Sequence, residues 1–173
     1  MSTSDLADKE HRPGTLVVVR PAAADASNPF ETFIKIAADG AVMAFNGHVD
    51  LGTGIRTALG QIVAEELDVS FARVVVVLGD TARVPNQGAT IASETIQITA
   101  VPLRKAAAQA RQFLIARAAE RLELPIEDLV IDDGLELVAG QHQHFDKLAI
   151  KLEALGQSLF NSGFNLSRAS VRF

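Results

Sequence analysis

A glycine-rich turn between a strand pattern and a helix pattern constrains this sequence more than any other feature. Residues 42–49 are rich in β-forming side chains and follow the Asp39-Gly40 turn dipeptide. Residues 55–67 place apolar side chains at helical spacing. Between them stands Gly52-Thr53-Gly54, where glycines permit positive φ and the close approach of a ligand. The free N–H groups of the first helical turn would form an anion site, although a plain structural turn has the same pattern.

Two hairpins and a central strand are predicted around this turn. The first hairpin joins residues 33–36 to 42–45, and the second surrounds Asp132-Asp133-Gly134. Val74 to Val77 form a β-branched run without alternation, which is typical of a strand covered on both faces. Residues 79–93 are predicted to form a long polar loop, and loops of that length are often functional.

Two main helices complete the predicted fold, which is α/β (α+β). The first begins after the glycine turn and ends near Asp68, and the second places Pro102 near its start and ends at Leu124-Pro125. Three regions are expected: a flexible arm over residues 1–29, a domain over 30–140 and a divergent tail over 141–173. Within the arm, Leu16 to Val19 is either a short strand or an extended segment, and a helix is considered for residues 145–155 of the tail.

Composition excludes several classes of function for these 173 residues. The absence of cysteine excludes disulfides, thiolate metal sites and iron–sulfur ligation within them. A net charge of −5 with scattered basic residues argues against nucleic-acid binding. No apolar run reaches the roughly 20 residues of a membrane helix, and no signal-peptide pattern is present, so a cytoplasmic protein is expected. His142 and His144 stand two residues apart in a chain without cysteine, and no zinc site is predicted for them.

Two segments carry a resemblance to a known family. Residues 47–69, Gly-His-Val-Asp-Leu-Gly-Thr-Gly-Ile-Arg-Thr onwards, resemble the first cofactor segment of the large subunits of molybdenum hydroxylases, the xanthine dehydrogenase/aldehyde oxidase family. The nearest branch contains the isoquinoline 1-oxidoreductase and nicotinate dehydrogenase-like proteins. Residues 79–93 are similar to the second cofactor segment, and the helix with Leu103-Arg104 and residues 106–111 fits the family's pattern after that segment.

The resemblance implies a fragment of the family's molybdopterin-binding domain. It also implies a molybdenum–molybdopterin cofactor in its cytosine dinucleotide form, for which backbone N–H groups and hydroxyls would be suitable partners. No catalytic or metal-ligating residue is predicted, and His48, beside the turn, is interpreted as structural. The residues expected to contact the cofactor are Gly52, Thr53, Gly54, Asp80, Thr81, Gly88, Thr90, Ala92 and Ser93.

Three departures from the family pattern shape the functional prediction. Thr53 stands where many relatives carry Gln, and Ala92-Ser93 stands where close relatives often have Gly-Ser. The family's catalytic glutamate lies in a Gly-x-Gly-Glu segment near the far C-terminus of the large subunit, and this sequence contains no such segment. The resemblance therefore implies only the opening piece of a large subunit, and a truncated or split gene is the hypothesis.

Two functions are compatible with this pattern. In the first, the chain is the cofactor-binding portion of an oxidoreductase that hydroxylates N-heteroaromatics or aldehydes, inactive alone and completed by an iron–sulfur small subunit, the remainder of a large subunit, or both. In the second, it is a non-catalytic remnant that self-associates or binds a partner without cofactor. Both predict exposed apolar surface and a homo-oligomer when the chain is isolated.

Overall fold

The computed structural model describes residues 15–20, 32–37, 39–133, 135–138, 150–151 and 170–172. They form two β-sheets and two long helices, which confirms the predicted α+β class. The helices are α1 (Ile55–Leu67) and α2 (Ala100–Leu122). The strands are β1 (Thr15–Arg20), β2 (Ile34–Ala37), β3 (Val42–Asn46), β4 (Val74–Leu78), β5 (Leu129–Asp132), β6 (Leu135–Val138), β7 (Ile150–Lys151) and β8 (Ser170–Arg172).

The larger sheet has the strand order β4-β3-β2-β1-β8. The predicted hairpin is confirmed, since β2 pairs antiparallel with β3 and Ile34 lies opposite Ala44. β1 also pairs antiparallel with β2, so Leu16 to Val19 belong to a strand, and the sheet includes residues that precede position 30. β3 and β4 run parallel and are connected through α1, as a parallel pair requires.

β4 carries the continuous valine run, and its burial on both faces is confirmed. Val74 and Val76 join the core under the helices, whereas Val75 and Val77 pack with Val84 on the opposite face. The strand expected to be central is nevertheless the last one of the larger sheet as described. Sequence patterning reports whether the faces of a strand are covered, and it does not report how many strands lie beside it.

Both helices pack on one face of the larger sheet. Leu59 and Val63 of α1 and Leu103 of α2 are fully buried there, and each such side chain contributes about 1.5–3 kcal/mol of burial free energy. α2 places small side chains against the sheet, which allows its backbone to lie close to the strands. The fully buried alanines on that face are Ala106, Ala107 and Ala110.

The helix ends follow local chemistry that the sequence already indicates. α1 stops where Asp68 adopts a left-handed φ of 57° and donates its N–H to the last carbonyls. α2 stops at Glu123, with φ 56°, shortly before Pro125. At its start, α2 is preceded by a π-helical turn, Thr95–Thr99, which the sequence pattern did not predict.

The smaller sheet has the order β5-β6-β7, and its β5–β6 hairpin confirms the second predicted hairpin. It contacts the rest of the fold through Asp133, which accepts a hydrogen bond from the Ser70 N–H and lies 3.5 Å from Arg73. A helix over residues 145–155 is wrong at Ile150–Lys151, because these residues pair with β6, whose edge is open to them.

Other sequence predictions fall partly or wholly outside the described residues. The remainder of 145–155 lies outside them, as do His142 and His144. The limits proposed for the arm, domain and tail remain predictions. No helix within the described ranges has both the length and the apolar character needed to cross a membrane.

Candidate functional site

Two loops emerge side by side from the carboxyl ends of the parallel strands β3 and β4. The first loop, residues 47–54, follows β3, and the second loop, residues 79–93, follows β4. The last residues of the two strands, Asn46 and Leu78, are paired in register, so both loops begin at one edge of the sheet. This edge is where open α/β sheets commonly bind ligands.

The Asp50 carboxylate lies at the start of α1, where the sequence predicted an anion site. Its Oδ1 accepts hydrogen bonds from the N–H groups of Gly52 (3.0 Å) and Gly54 (3.2 Å), and its Oδ2 accepts from Arg56 (3.1 Å). These backbone hydrogen bonds, the one from Arg56 first, lower the pKa of Asp50. Of the donors in the first turn of α1, the Arg56 N–H is therefore already bonded to the chain's own carboxylate, whose negative charge would repel a phosphate at that point.

The glycines of the first loop are required by backbone conformation. Gly52 has φ +94° and Gly54 has φ +75°, and a Cβ added at either position would meet nothing within 4 Å. These values lie in the left-handed region that favours glycine. Thr53 is exposed between them, and its hydroxyl makes no hydrogen bond with the described part of the chain.

The second loop begins with a turn that Asp80 organises. Its carboxylate accepts from the Ala82 N–H (3.1 Å) and from Arg83 Nε (2.6 Å), and its carbonyl accepts from the Val84 N–H (2.9 Å). Asp80 is thus engaged within its own turn, and the exposed site candidate there is Thr81.

The remainder of the second loop brings small and hydroxyl side chains toward the first. Thr90 Oγ1 accepts a hydrogen bond from the Val49 N–H at 3.0 Å, so the two loops are in direct contact. Gly88 has φ +83° with open space around its Cα. Ala92 and Ser93 are exposed and adopt φ +49° and +58°, two left-handed residues in succession. The family's glycine at the position of Ala92 matches this conformation.

Beneath the exposed loops lies a polar network that sequence reasoning did not assemble. Gln87 Oε1 accepts from the Gly47 N–H at 2.8 Å. The His48 ring lies between Thr95 Oγ1 (2.8 Å from Nδ1) and the Gln87 carbonyl (3.3 Å from Nε2), which confirms its structural role. Asn46 Nδ2 donates to the hydroxyl of Thr99 at 3.1 Å. The four-residue spacing of Thr95 and Thr99, which aligns them on one helical face, is a sequence signal that could have indicated part of this network.

Large apolar side chains surround the two loops at high exposure. We call this set the apolar rim; the most exposed members are Leu51 (72%), Ile91 (60%) and Ile98 (56%), and the others are Val49, Ile96 and Val101. Exposed apolar surface of this kind is what both functional hypotheses predict.

The loops can supply backbone space and hydroxyl donors to a polar ligand. The hydroxyls of Thr53, Thr81 and Ser93 are exposed, and each can donate or accept. Gly52, Gly54 and Gly88 leave room beside the backbone. These residues fit one wall of a site for a bulky polar group. A separate cleft of about 620 Å³, lined in part by Glu65, Phe71 and Asp133, contains none of the predicted site residues.

Comparison with known proteins gives the same family in sequence and in structure. The family model described as "Molybdopterin cofactor-binding domain" matches residues 13–170. A nicotinate dehydrogenase subunit of Pseudomonas putida is 68% identical over 102 residues, which are 59% of this chain and 9% of that protein. The beta subunit of isoquinoline 1-oxidoreductase from Brevundimonas diminuta is 35% identical over 113 residues, 61% of this chain and 14% of that protein.

Solved structures resemble the fold over most of the chain. CO dehydrogenase from Oligotropha carboxidovorans aligns with a TM-score of 0.62 and 26% identity, covering 75% of this chain and 16% of that one. Quinoline 2-oxidoreductase from Pseudomonas putida aligns with a TM-score of 0.57 and 26% identity, covering 77% of this chain and 17% of that one. The chain thus spans only about a tenth to a sixth of the relatives that it matches.

Proposed function

The chain belongs to the molybdopterin cofactor-binding domain family, and we propose that it forms one wall of the molybdenum-cofactor site in an oxidoreductase that hydroxylates N-heteroaromatic rings or aldehydes. One observation carries the proposal. The first and second loops each come from one of the segments selected by the family pattern and are separated in sequence by α1 and β4, yet they lie in contact through the Val49–Thr90 hydrogen bond at 3.0 Å. This contact supports a cofactor site that both loops share.

The residues proposed to hold the cofactor are those that are exposed and small or that carry a hydroxyl. Gly52 and Gly54 would allow close approach, and Thr53, Thr81 and Ser93 would donate hydrogen bonds to a phosphate or pterin oxygen. Because the Asp50 carboxylate bonds the Arg56 N–H and places a negative charge at the start of α1, the hydroxyls are the proposed phosphate partners. We propose the cytosine dinucleotide form. When bound, the cofactor supplies the redox and oxygen-transfer chemistry.

Completion of the active site requires other protein segments. The sequence contains no Gly-x-Gly-Glu segment, so the general base is proposed to come from the remainder of a large subunit. An iron–sulfur subunit is proposed as the electron acceptor, since the chain has no cysteine to hold such a cluster. The small share of the relatives that the chain spans supports this division of labour, and a cytoplasmic location is proposed for the assembly.

A second function is favoured by the apolar rim. With Leu51 72% exposed beside the site, the chain can also be a non-catalytic remnant that covers this surface by self-association and binds no cofactor. The two functions differ in whether molybdenum accompanies the chain.

The deciding experiment is to purify the tagged full chain from its native host and measure molybdenum together with the co-purifying proteins. We expect molybdenum and a longer companion chain. Gly54→Ala, which places a Cβ at φ +75°, should lower the molybdenum content, whereas Gly40→Ala, at φ +79° in the β2–β3 turn, should retain it. A metal-free oligomer would contradict the proposal and support the remnant.

A further inference from the structure

His48 joins three separate parts of the chain at one buried point. It follows β3, it is fully buried, and its backbone N–H donates to Asn46 Oδ1 at 3.0 Å. Its ring contacts the second loop through the Gln87 carbonyl and the π-helical turn through Thr95 Oγ1. Its hydrogen bonds within the described residues go to none of the exposed residues proposed to face the cofactor.

The chemistry of the partners fixes the direction of these hydrogen bonds. The Gln87 carbonyl can only accept, so Nε2 of His48 carries a proton and donates to it at 3.3 Å. In the neutral ring, Nδ1 is then an acceptor, and the Thr95 hydroxyl donates to it at 2.8 Å. The imidazole therefore accepts from the Thr95 hydroxyl on one side and donates to the Gln87 carbonyl on the other. An apolar side chain of the same size would make neither hydrogen bond.

The Gln87 side-chain amide and a backbone contact also join the first loop to the second. Gln87 returns its side chain to the strand end, accepting from the Gly47 N–H at 2.8 Å and donating to the Thr99 carbonyl at 3.1 Å. A Cβ added to Gly47 would lie 2.4 Å from the Pro85 carbonyl oxygen, so the two backbones are in direct contact. Gln87 precedes Gly88 and Thr90 closely in sequence, and its position sets theirs.

We infer that His48, acting with Gln87 and Thr95, is a positioning residue that sets the separation between the first and second loops, and with it the width of the proposed cofactor wall. The consequence for cofactor binding rests on the proposed function, whereas the consequence for loop geometry does not. The His48 ring contacts the Gln87 carbonyl of the second loop, and the next residue along the chain, Val49, donates its N–H to Thr90 Oγ1 of the same loop.

Amide hydrogen exchange on the full chain tests the positioning role without any cofactor. The reporters are the Gly47 and Val49 amides, which are bonded to the second loop, and the reference is the Phe45 amide, which is bonded to Phe33 within the sheet. His48→Leu should accelerate exchange at both reporters by about tenfold relative to Phe45, the effect of one lost hydrogen bond. His48→Gln, whose amide can still donate to Gln87, should lie near the unsubstituted chain.

Two further kinds of variant control the exchange experiment: a substitution in the core and a milder substitution at Thr95. Val63→Ala truncates a fully buried side chain of α1 and lowers global stability, but it should not raise the ratio of reporter to reference exchange. If His48→Leu fails to fold, Thr95→Val removes only the hydroxyl and should accelerate the same reporters less strongly, while Thr95→Ser should not. Equal ratios in the His48 or Thr95 variants and in Val63→Ala would overturn the inference.

Molybdenum content forms the second arm of the experiment. In the tagged chain purified from its host, His48→Leu should lose molybdenum while Val63→Ala retains it, which would support positioning toward the cofactor. Loss in both variants to the same degree would overturn that part. If the unsubstituted chain carries no molybdenum, the proposed function fails, and the exchange ratios decide the positioning role separately.

Discussion

Asp50 stabilises the glycine turn while its carboxyl group is ionised. Its hydrogen bonds to backbone N–H groups lower its pKa below the ordinary 3.8. A group whose folded-state pKa is depressed stabilises the fold above its unfolded pKa, and that stabilisation disappears as the pH falls through the folded-state pKa. We therefore expect Asp50→Asn to lower the melting temperature at pH 7, and the difference from the unsubstituted chain to shrink as the pH falls below 3.8. Thermal unfolding at a series of pH values measures this difference in melting temperature. A difference that stays constant with pH would contradict the stabilising role of the ionised Asp50.

Ala92 holds a conformation that glycine adopts more easily. A φ of +49° costs an L-residue about 1–2 kcal/mol of strain, which glycine would relieve. The larger conformational entropy of glycine in the unfolded chain offsets about 0.4–1 kcal/mol of that relief. Ala92→Gly should therefore stabilise the fold by about 0.5 kcal/mol in denaturant unfolding. Ala89→Gly, in the same loop but without a left-handed φ, is the matched control and should be destabilising. A loss of stability in Ala92→Gly would contradict the inference that the backbone at Ala92 is strained.

At the scale of residues, the sequence predicted which positions matter better than it predicted their contacts. The glycines at 52 and 54 were identified for the conformation that they do adopt. The ring contacts of His48 were not predicted, because its partners lie 39 and 47 positions away along the chain. Such contacts exist only once the two loops have been brought together by β3 and β4.

Within α1, Gly60 lies against Phe71 and Val76 and leaves no room for a side chain. A Cβ at this position would lie 2.7 Å from Phe71 Cε2 and 3.4 Å from Val76 Cγ2. Helix propensity favours Ala over Gly by about 1 kcal/mol, but overpacking costs about 1–3 kcal/mol. Gly60→Ala should therefore destabilise the chain, whereas in a Phe71→Ala background the same change should stabilise it. Denaturant unfolding of the unsubstituted chain, the two single variants and the double variant gives the coupling free energy between Gly60→Ala and Phe71→Ala. Additive changes in stability would contradict the contact.

Helices and hairpins, which have strong local sequence patterns, were predicted well. The order of the strands and the shortest strands, which depend on pairing with neighbouring strands, were not. Both helices and both hairpins follow from periodicity and turn dipeptides. The edge position of β4, the parallel pairing of β1 with β8 and the two-residue strand β7 depend on which strand edges are open in the folded sheet. A segment as short as Ile150–Lys151 carries no period of its own that could reveal such pairing.

For the whole molecule, the apolar rim predicts association of the isolated chain. We expect the scattering mass of the purified chain to exceed that of the monomer and to rise with concentration, because covering Leu51 and Ile98 removes apolar surface from water. The double substitution Leu51→Ser and Ile98→Ser should lower the mass toward the monomer. Ile126→Ser, at a 52% exposed isoleucine outside the rim, is the control and should not. A monomeric mass for the unsubstituted chain would contradict the prediction.

The edge position of β4 has a consequence for solubility. Val74–Leu78 is an uninterrupted apolar strand, and as the last strand of the described sheet it resembles the segments that recruit further strands into amyloid-like stacks. Arg56 of α1 donates a hydrogen bond from its guanidinium to the Val76 carbonyl, at the middle of that strand. A cation fixed there discourages an incoming strand. We therefore expect this arginine, close behind the glycine turn, to act as a gatekeeper residue that hinders fibril growth at high protein concentration.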